Sequence, residues 1–453
     1  MMTGQGVRAV LGTVASVLVL AGCAGVPLEE GRAKSRDLVQ ARLPARATMQ
    51  GDVEQWLAKP LDLETAVRVA LLRNPELVAS EAQLGLDAAD VFEAGRLHNP
   101  AIGAALLMPR GDASGNKLTA SATLDFAGLL LRRSNRQIAE AVFARTQATV
   151  AAQVLALVSR TQRAWVDAVA ASQRLAVRQS IQDVAEATAE LAVRQAQAGN
   201  LPSLQLSIHQ AAATEARLAS QQAMADLVDA RAALQALLGL DAKSSWTLSA
   251  SLPAPDTLPT LDFQVLRDRA DRERLDLLAA RRDVALREKE RGLVRKTRLL
   301  GQGEVGAEFD REGDGARRVG PSLSLELPLF EQGQGRVARA EARLRGAKAQ
   351  LRSVELAVDA ELQQQLQKLG LARDRAEGYR QSLIPQREAV VARLQERVNY
   401  MLDDAFTLLL ARQQEYAAYE GYVDAVQAYW RARVDLLHAT GSQLAVALPG
   451  DAS

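Results

Sequence analysis

The chain has 453 residues, 48% of them apolar and only 4% aromatic, which is a foldable composition whose Ala, Leu and Val favour helices over an all-β core. Its 55 basic and 54 acidic side chains nearly cancel. That excludes a nucleic-acid binder, which needs a clustered basic excess.

The first 22 residues carry one charge, Arg8, followed by the apolar run from Val10 to Leu20. The pattern reads as a signal peptide, because the run is shorter than the roughly 20 apolar residues a spanning helix needs. It ends in Leu20-Ala21-Gly22-Cys23, and Cys23 is the only cysteine. These four residues resemble a bacterial lipobox, which implies cleavage before Cys23 and lipidation of its thiol and new amine. Position 24 is Ala and not Asp, so the inner-membrane retention signal is absent and the lipid is expected in the outer membrane. No later segment reads as a spanning helix, so any crossing must be made by strands.

Residues 23–60 are weakly patterned and read as a lipid-anchored extended arm. A first repeat follows at 61–240. Leu61-Asp62-Leu63-Glu64 opens a helix with Asp62 as N-cap, and Pro75 suits the first turn of the next helix. Residues 101–108 and 118–126 flank a turn rich in Gly and Asn. The second run alternates Leu118, Ala120, Ala122, Leu124 and Phe126 with polar residues, so the pair reads as a β-hairpin. From 129 to 198 there is neither Gly nor Pro. One helix of that length would extend about 105 Å. Gly199-Asn200-Leu201-Pro202 turns the chain into a second helix that ends at Gly239.

Residues 241–260, with Pro253, Pro255 and Pro259, read as a linker. A second repeat then occupies 261–441, and 442–453 form a tail. Arg274-Leu275-Asp276-Leu277 lies 200 positions after Asn74-Pro75-Glu76-Leu77, and Gly441 lies 202 after Gly239. The spacing predicts a hairpin with its second strand over 319–329, one long helix over 335–398 and a last helix over 404–440. Two copies at one long period indicate an internal duplication.

Four strands of about ten residues match the length of tilted membrane strands. Four cannot close a barrel, and an open edge in lipid leaves backbone groups unpaired at several kcal/mol each. Copies from other chains must complete the cylinder, and three chains give twelve strands. Helices this long pack better as staves of a cylinder than as a compact monomeric core.

The ordered set resembles the TolC-type outer-membrane efflux family. The residues that carry the likeness are Leu61 to Glu64, Arg73-Asn74-Pro75-Glu76-Leu77 and Asn99-Pro100. In the second half they are Gly320-Pro321-Ser322-Leu323-Ser324-Leu325-Glu326-Leu327-Pro328-Leu329-Phe330 and Gly333-Gln334-Gly335-Arg336. The last motif looks closest to members paired with heavy-metal exporters. The resemblance implies a mainly α fold with a small β part. Duplicated long helical hairpins would form a trimeric α-barrel, and four strands per chain would enter a shared 12-stranded outer-membrane β-barrel. It implies an exit duct of a tripartite efflux system that passes metal ions or small toxic compounds outward. The partners would be two further copies, a periplasmic adaptor and an inner-membrane pump of the resistance-nodulation-division type. The alternative is a lipid-anchored periplasmic coiled-coil spacer without a pore, which needs no paired strands.

In the family, the turns between paired long helices form the periplasmic end. Here those turns hold Gly199, Asn200, Leu201 and Pro202, and then Met401 and Leu402, as candidate adaptor contacts. Asp403 and Asp404, brought together threefold, would place six carboxylates near an axis, with Arg397 able to bridge them. The plainer alternative makes Asp404 a helix N-cap and Asp403 a solvated charge. Many members carry Gly where this chain has Met401. The family's gating carboxylates fall at positions resembling Thr407 and Leu410. His98, His209 and His438 show no metal-ligand spacing, and no nucleophile, base and orienter set is visible. Neither a metal cofactor nor an enzyme activity is expected. Trp165 and Trp430 fall on helix seams and are expected in the core.

Overall fold

The computed structural model describes residues 35–42, 52–108, 115–255, 261–301 and 303–441. Cys23, the signal peptide and the 442–453 tail lie outside the described residues. The elements run α1 (Val53–Leu57), α2 (Leu63–Arg73), α3 (Pro75–Ala94), β1 (Ala101–Leu107), β2 (Lys117–Asp125), α4 (Phe126–Gln197) and α5 (Ser203–Leu238). The order then repeats as α6 (Phe263–Glu273), α7 (Leu275–Lys296), β3 (Gly303–Arg311), β4 (Arg317–Leu325), α8 (Gln334–Gly378), α9 (Ile384–Asn399) and α10 (Ala405–Thr440). A π-helical turn, Tyr379–Leu383, joins α8 to α9.

The helix starts follow local chemistry. The Asp62 carboxylate accepts from the Thr65 N–H at 2.7 Å, and Asp262 does the same for Gln264 and Val265 in the second copy. Such caps satisfy N–H groups that have no partner within the helix. Pro75 opens α3, where its missing N–H costs nothing. Gly239 and Gly441 end α5 and α10 in left-handed conformation, with φ of 64° and 74°.

Four expectations need correction. The arm over 23–60 is not simply extended, since 35–40 is helical and α1 buries Val53 and Leu57. The single helix over 335–398 is interrupted by the π-turn. Pro385, one residue into α9, has no N–H to offer and its ring clashes with the carbonyl four residues back, which a widened turn relieves. The final strand runs Arg317–Leu325 and not 319–329. Pro328 cannot extend a ladder, whereas Pro321 is tolerated because β4 is an edge strand. Finally, an 18-residue window of α4 is long and apolar enough to cross a membrane, although half of it is buried in the protein. Its Ala, Val and Leu residues serve the core.

The described residues form two compact units. The first joins 81–147 to 281–349 and contains the four-stranded antiparallel sheet, in the order β1-β2-β3-β4. Within it Arg145 reaches Asp283 at 2.9 Å, so α4 and α7 are tied.

The second unit holds the described residues of 36–80, 148–280 and 350–441. Its core includes Leu61, Leu157, Leu234, Leu238, Leu362, Tyr429 and Trp430. Trp165 and Trp430 are 3% and 2% exposed, as expected. Their indole N–H groups donate to the carbonyls of Leu61 and Pro253, each at 2.8 Å. The described part of the linker is not loose. Trp246 and Leu252 are buried, and Leu248 bridges to Leu61 in parallel.

The duplication is visible in contacts as well as in spacing. Asn74 donates from its side-chain amide to the Leu237 carbonyl at 2.9 Å. At the matching place Arg274 donates to the Ala439 carbonyl at 3.1 Å. Arg274 also pairs with Asp276 and Glu361, both at 2.7 Å, and these carboxylates push its guanidinium above its ordinary value against the opposing effect of burial.

Candidate functional site

Two features outside the core carry the functional information, and the first is the pair of helix-to-helix turns. In the α4–α5 turn, Gly199 takes φ of 76°, its N–H donates to Ala196 O at 3.0 Å, and the Asn200 N–H donates to Gln195 O at 2.9 Å. This is the Schellman way of ending a helix. In the α9–α10 turn, Met401 takes φ of 58°, its N–H donates to Val398 O, and the Leu402 N–H donates to Arg397 O, both at 2.9 Å. The two turns are copies of one another, 202 positions apart.

Pro202 occupies the N-cap position of α5 without a side-chain cap bond. Its counterpart Asp404 caps α10, accepting from the Thr407 N–H at 2.8 Å. Asp403 accepts from the Arg397 guanidinium, one of the two bonds being 3.3 Å. That bond holds the Asp403 carboxyl below the usual carboxylate range and raises Arg397 in turn. Within one chain, then, Arg397 and Asp403 are brought together while Asp404 is committed to the helix. Thr407 belongs to the cap, and Leu410 is exposed.

Sequence reasoning missed how apolar the turns are. Leu204, Ile208, Tyr400, Met401 and Leu402 are all exposed, Met401 to 93%. It also missed a link between the two hairpins. The His209 and Phe406 rings stack with centroids 4.5 Å apart and 12° between planes. Residues 197 apart in sequence give no local signal of such contact. Farther from the turn, Tyr419 donates to Glu388, which pushes its phenol up to about 12. Among the described residues no group of three or more His, Cys, Asp or Glu side chains could hold a metal ion.

The second feature is the sheet. Residues opposite each other in an antiparallel pair share a face. The register sets Ile102 against Ala122, Leu106 against Leu118, and Ala120 against Phe309. It continues with Leu124 against Val305, which faces Leu323, and Phe309 against Val319. One face is therefore largely apolar across the four strands, with Arg311 and Arg317 beside Leu118 at one end of it. The other is polar over β2 to β4, where it presents Thr119, Ser121 and Thr123, then Glu304, Glu308 and Asp310, then Arg318, Ser322 and Ser324, while β1 adds Ala101, Gly103, Ala105 and Leu107 to it. The apolar face is not covered. Ile102, Val319 and Leu323 are 84%, 77% and 67% exposed. Nor are the outer edges of β1 and β4 paired among the described residues.

No family model matches the chain, and no curated sequence does. Solved structures do. The CmeC outer membrane channel of Campylobacter jejuni superposes with a TM-score of 0.71 at 15% identity, over 84% of this chain and 85% of that one. The open-state MtrE outer membrane channel of Neisseria gonorrhoeae gives 0.69 at 16% identity, over 84% and 89%. The outer membrane protein VceC of Vibrio cholerae gives 0.67 at 17% identity, over 87% and 99%. At these identities the likeness speaks for the architecture, and it agrees with the duplicated hairpins, the meander sheet and the paired turns described above. The chain has the fold of the TolC-type outer-membrane channels.

Proposed function

We propose that the protein is the outer-membrane exit duct of a tripartite efflux system, working as a homotrimer. The observation that carries this is the sheet, which has one largely apolar and uncovered face, a second face that is polar over β2 to β4, and two edges left open among the described residues. In water an uncovered apolar face is unfavourable, and in lipid an open edge is. Both problems vanish if three copies close twelve strands into a barrel with lipid outside and a polar lumen inside. Nine-residue strands such as β2 to β4 extend about 30 Å, and at a tilt of about 40° they cover most of the ~25 Å apolar band of such barrels. A coiled-coil spacer would have no use for such a sheet.

In this reading Cys23 carries the lipid, and the helical hairpins lie in the periplasm. The turns at Gly199 to Pro202 and at Met401 and Leu402 meet the periplasmic adaptor, which couples the duct to an inner-membrane pump of the resistance-nodulation-division type. The Arg397–Asp403 pair stiffens the second turn in its closed form. The cargo is metal ions or small toxic compounds, with the Gly333-Gln334-Gly335-Arg336 motif favouring the metal type. The duct itself catalyses no reaction. The test is to purify the full chain in detergent and measure its mass and its conductance in planar bilayers. A trimer that conducts is expected, and a monomer that gives no channels would end the proposal.

A further inference from the structure

The two halves make unequal use of equivalent helix faces. In the second unit, α4 is tied to α10 by rungs in one antiparallel register. Arg163 meets Asp435 at 3.2 Å, Asp167 meets Arg431, Arg174 meets Asp424 at 2.7 Å, and Arg178 meets Glu420 at 2.7 Å. Steps of four, seven and four residues up α4 match the same steps down α10, so the rungs lie on one stripe of each helix. Because α4 belongs to the first repeat and α10 to the second, this ladder is a repeat-to-repeat contact.

Each of these helices has a counterpart. The helix α5 corresponds to α10 at an offset of 202, and Ala223 with Ala425 and Leu234 with Leu436 are buried in both. The helix α8 corresponds to α4. The π-turn inserts one residue into the second copy, so the offset before it is 201, and Leu157 with Val358 and Ala171 with Ala372 are buried in both. Carried across, one of the four rungs keeps a charge pair, with Lys368 where Asp167 stands and Asp229 where Arg431 stands, while the others become Gln364 with Ala233, Arg375 with Gln222 and Tyr379 with Leu218. Both signs are reversed, so the pair remains opposite in charge. Within the chain, however, both side chains are exposed and neither makes a hydrogen bond or close ion pair among the described residues, although the Lys368 charge acts at longer range on Asp435 of α10. Apolar neighbours show the same imbalance. Leu155 is 5% exposed and its counterpart Leu356 53%, while Ala170 is fully buried and Leu371 is 71% exposed.

We infer that these stripes are the two sides of an interface between copies of this chain: α8 of one copy docks on α5 of the next, and Lys368 pairs with Asp229 of the partner subunit. The inference deepens the duct reading and rests on it, since two unlike surfaces in contact give a head-to-tail arrangement that must close into a ring. The ion pair sets register and partner choice more than it adds affinity.

Two measurements on the full-length protein in detergent test this. Oxidation of the double variant Lys368→Cys, Asp229→Cys is expected to give a disulfide-linked trimer on a denaturing gel, with monomers only from either single variant. Lys368→Glu alone is expected to lower the assembled fraction about 2–5-fold at low salt. Adding Asp229→Lys to it is expected to restore assembly. If native mass shows a trimer but no disulfide forms, and the charge swap does not rescue, the interface lies elsewhere and the duct reading survives. A monomeric native mass would overturn both.

Discussion

Met401 stands in the α9–α10 turn where Gly199 stands in the α4–α5 turn, with φ likewise positive and the same two backbone hydrogen bonds. Glycine adopts this conformation without strain, whereas a side chain there costs about 1–2 kcal/mol. At 93% exposure Met401 gains nothing from burial to offset that cost.

Met401→Gly is therefore expected to raise stability slightly, by up to about 1 kcal/mol, since loss of strain outweighs the entropy of glycine. Gly199→Val is expected to lower it by about 1–3 kcal/mol, because a β-branched residue suits positive φ least. Chemical denaturation of the purified protein checks both signs. If the adaptor contacts this turn, Met401→Gly should weaken adaptor binding even as it stabilises the duct.

The second turn should be sensitive to acid. The Arg397 guanidinium lowers the Asp403 carboxyl below its unfolded value, so the pair contributes stability above the ordinary carboxylate pKa of about 3.9 and loses it as pH falls through the lower folded value. Hydrogen exchange across 396–404 is expected to show protection at neutral pH that fades below about pH 4. Asp403→Asn should show the weakened turn at every pH, and equal protection in both proteins at pH 7 would refute the role given to the pair.

Gly421 leaves room for Tyr379, the first residue of the π-turn. A Cβ at Gly421 would come within 2.5–2.6 Å of the tyrosine hydroxyl and ring. Gly421→Ala is expected to cost about 1–3 kcal/mol by overpacking, and Tyr379→Ala added to it should recover part of the loss. Denaturant midpoints of the two single variants and the double variant measure the coupling.

The two faces of the sheet should respond differently to charge. Ala307 lies on the apolar face, between Ala122 and Pro321, and Ala307→Arg is expected to cost about 2–4 kcal/mol in the membrane and to reduce the assembled, heat-modifiable form. Ser121 lies on the opposite face, between Gly103 and Glu308. Ser121→Arg should assemble normally and change only ion selectivity in bilayer recordings. Equal assembly of the two variants would contradict the assignment of faces.

Much of this architecture is local and so is readable without coordinates. The stretch from 129 to 197 lacks any breaker and lies in one helix, Asp62 and Asp404 begin helices that their carboxylates cap, and the alternation from Leu118 to Leu124 becomes β2. Each of these follows from neighbours a few residues apart. The π-turn was not readable in the same way, because its first residue, Tyr379, sits against Gly421 of α10, about 40 positions along the chain.

The amino-acid order alone determined the duplication, the hairpins, the turns and the four short strands, since each depends on periodicity and on single residues such as Gly199, Gly239 and Gly441. Only the tertiary structure decided which stripe of α4 meets α10, that Arg397 pairs with Asp403 while Asp404 caps, and that the apolar residues of the four strands share one face of the sheet. Those facts depend on register between segments up to about 270 residues apart, where a shift of one residue would turn every side chain of a strand to the other face or move a guanidinium out of reach of its carboxylate.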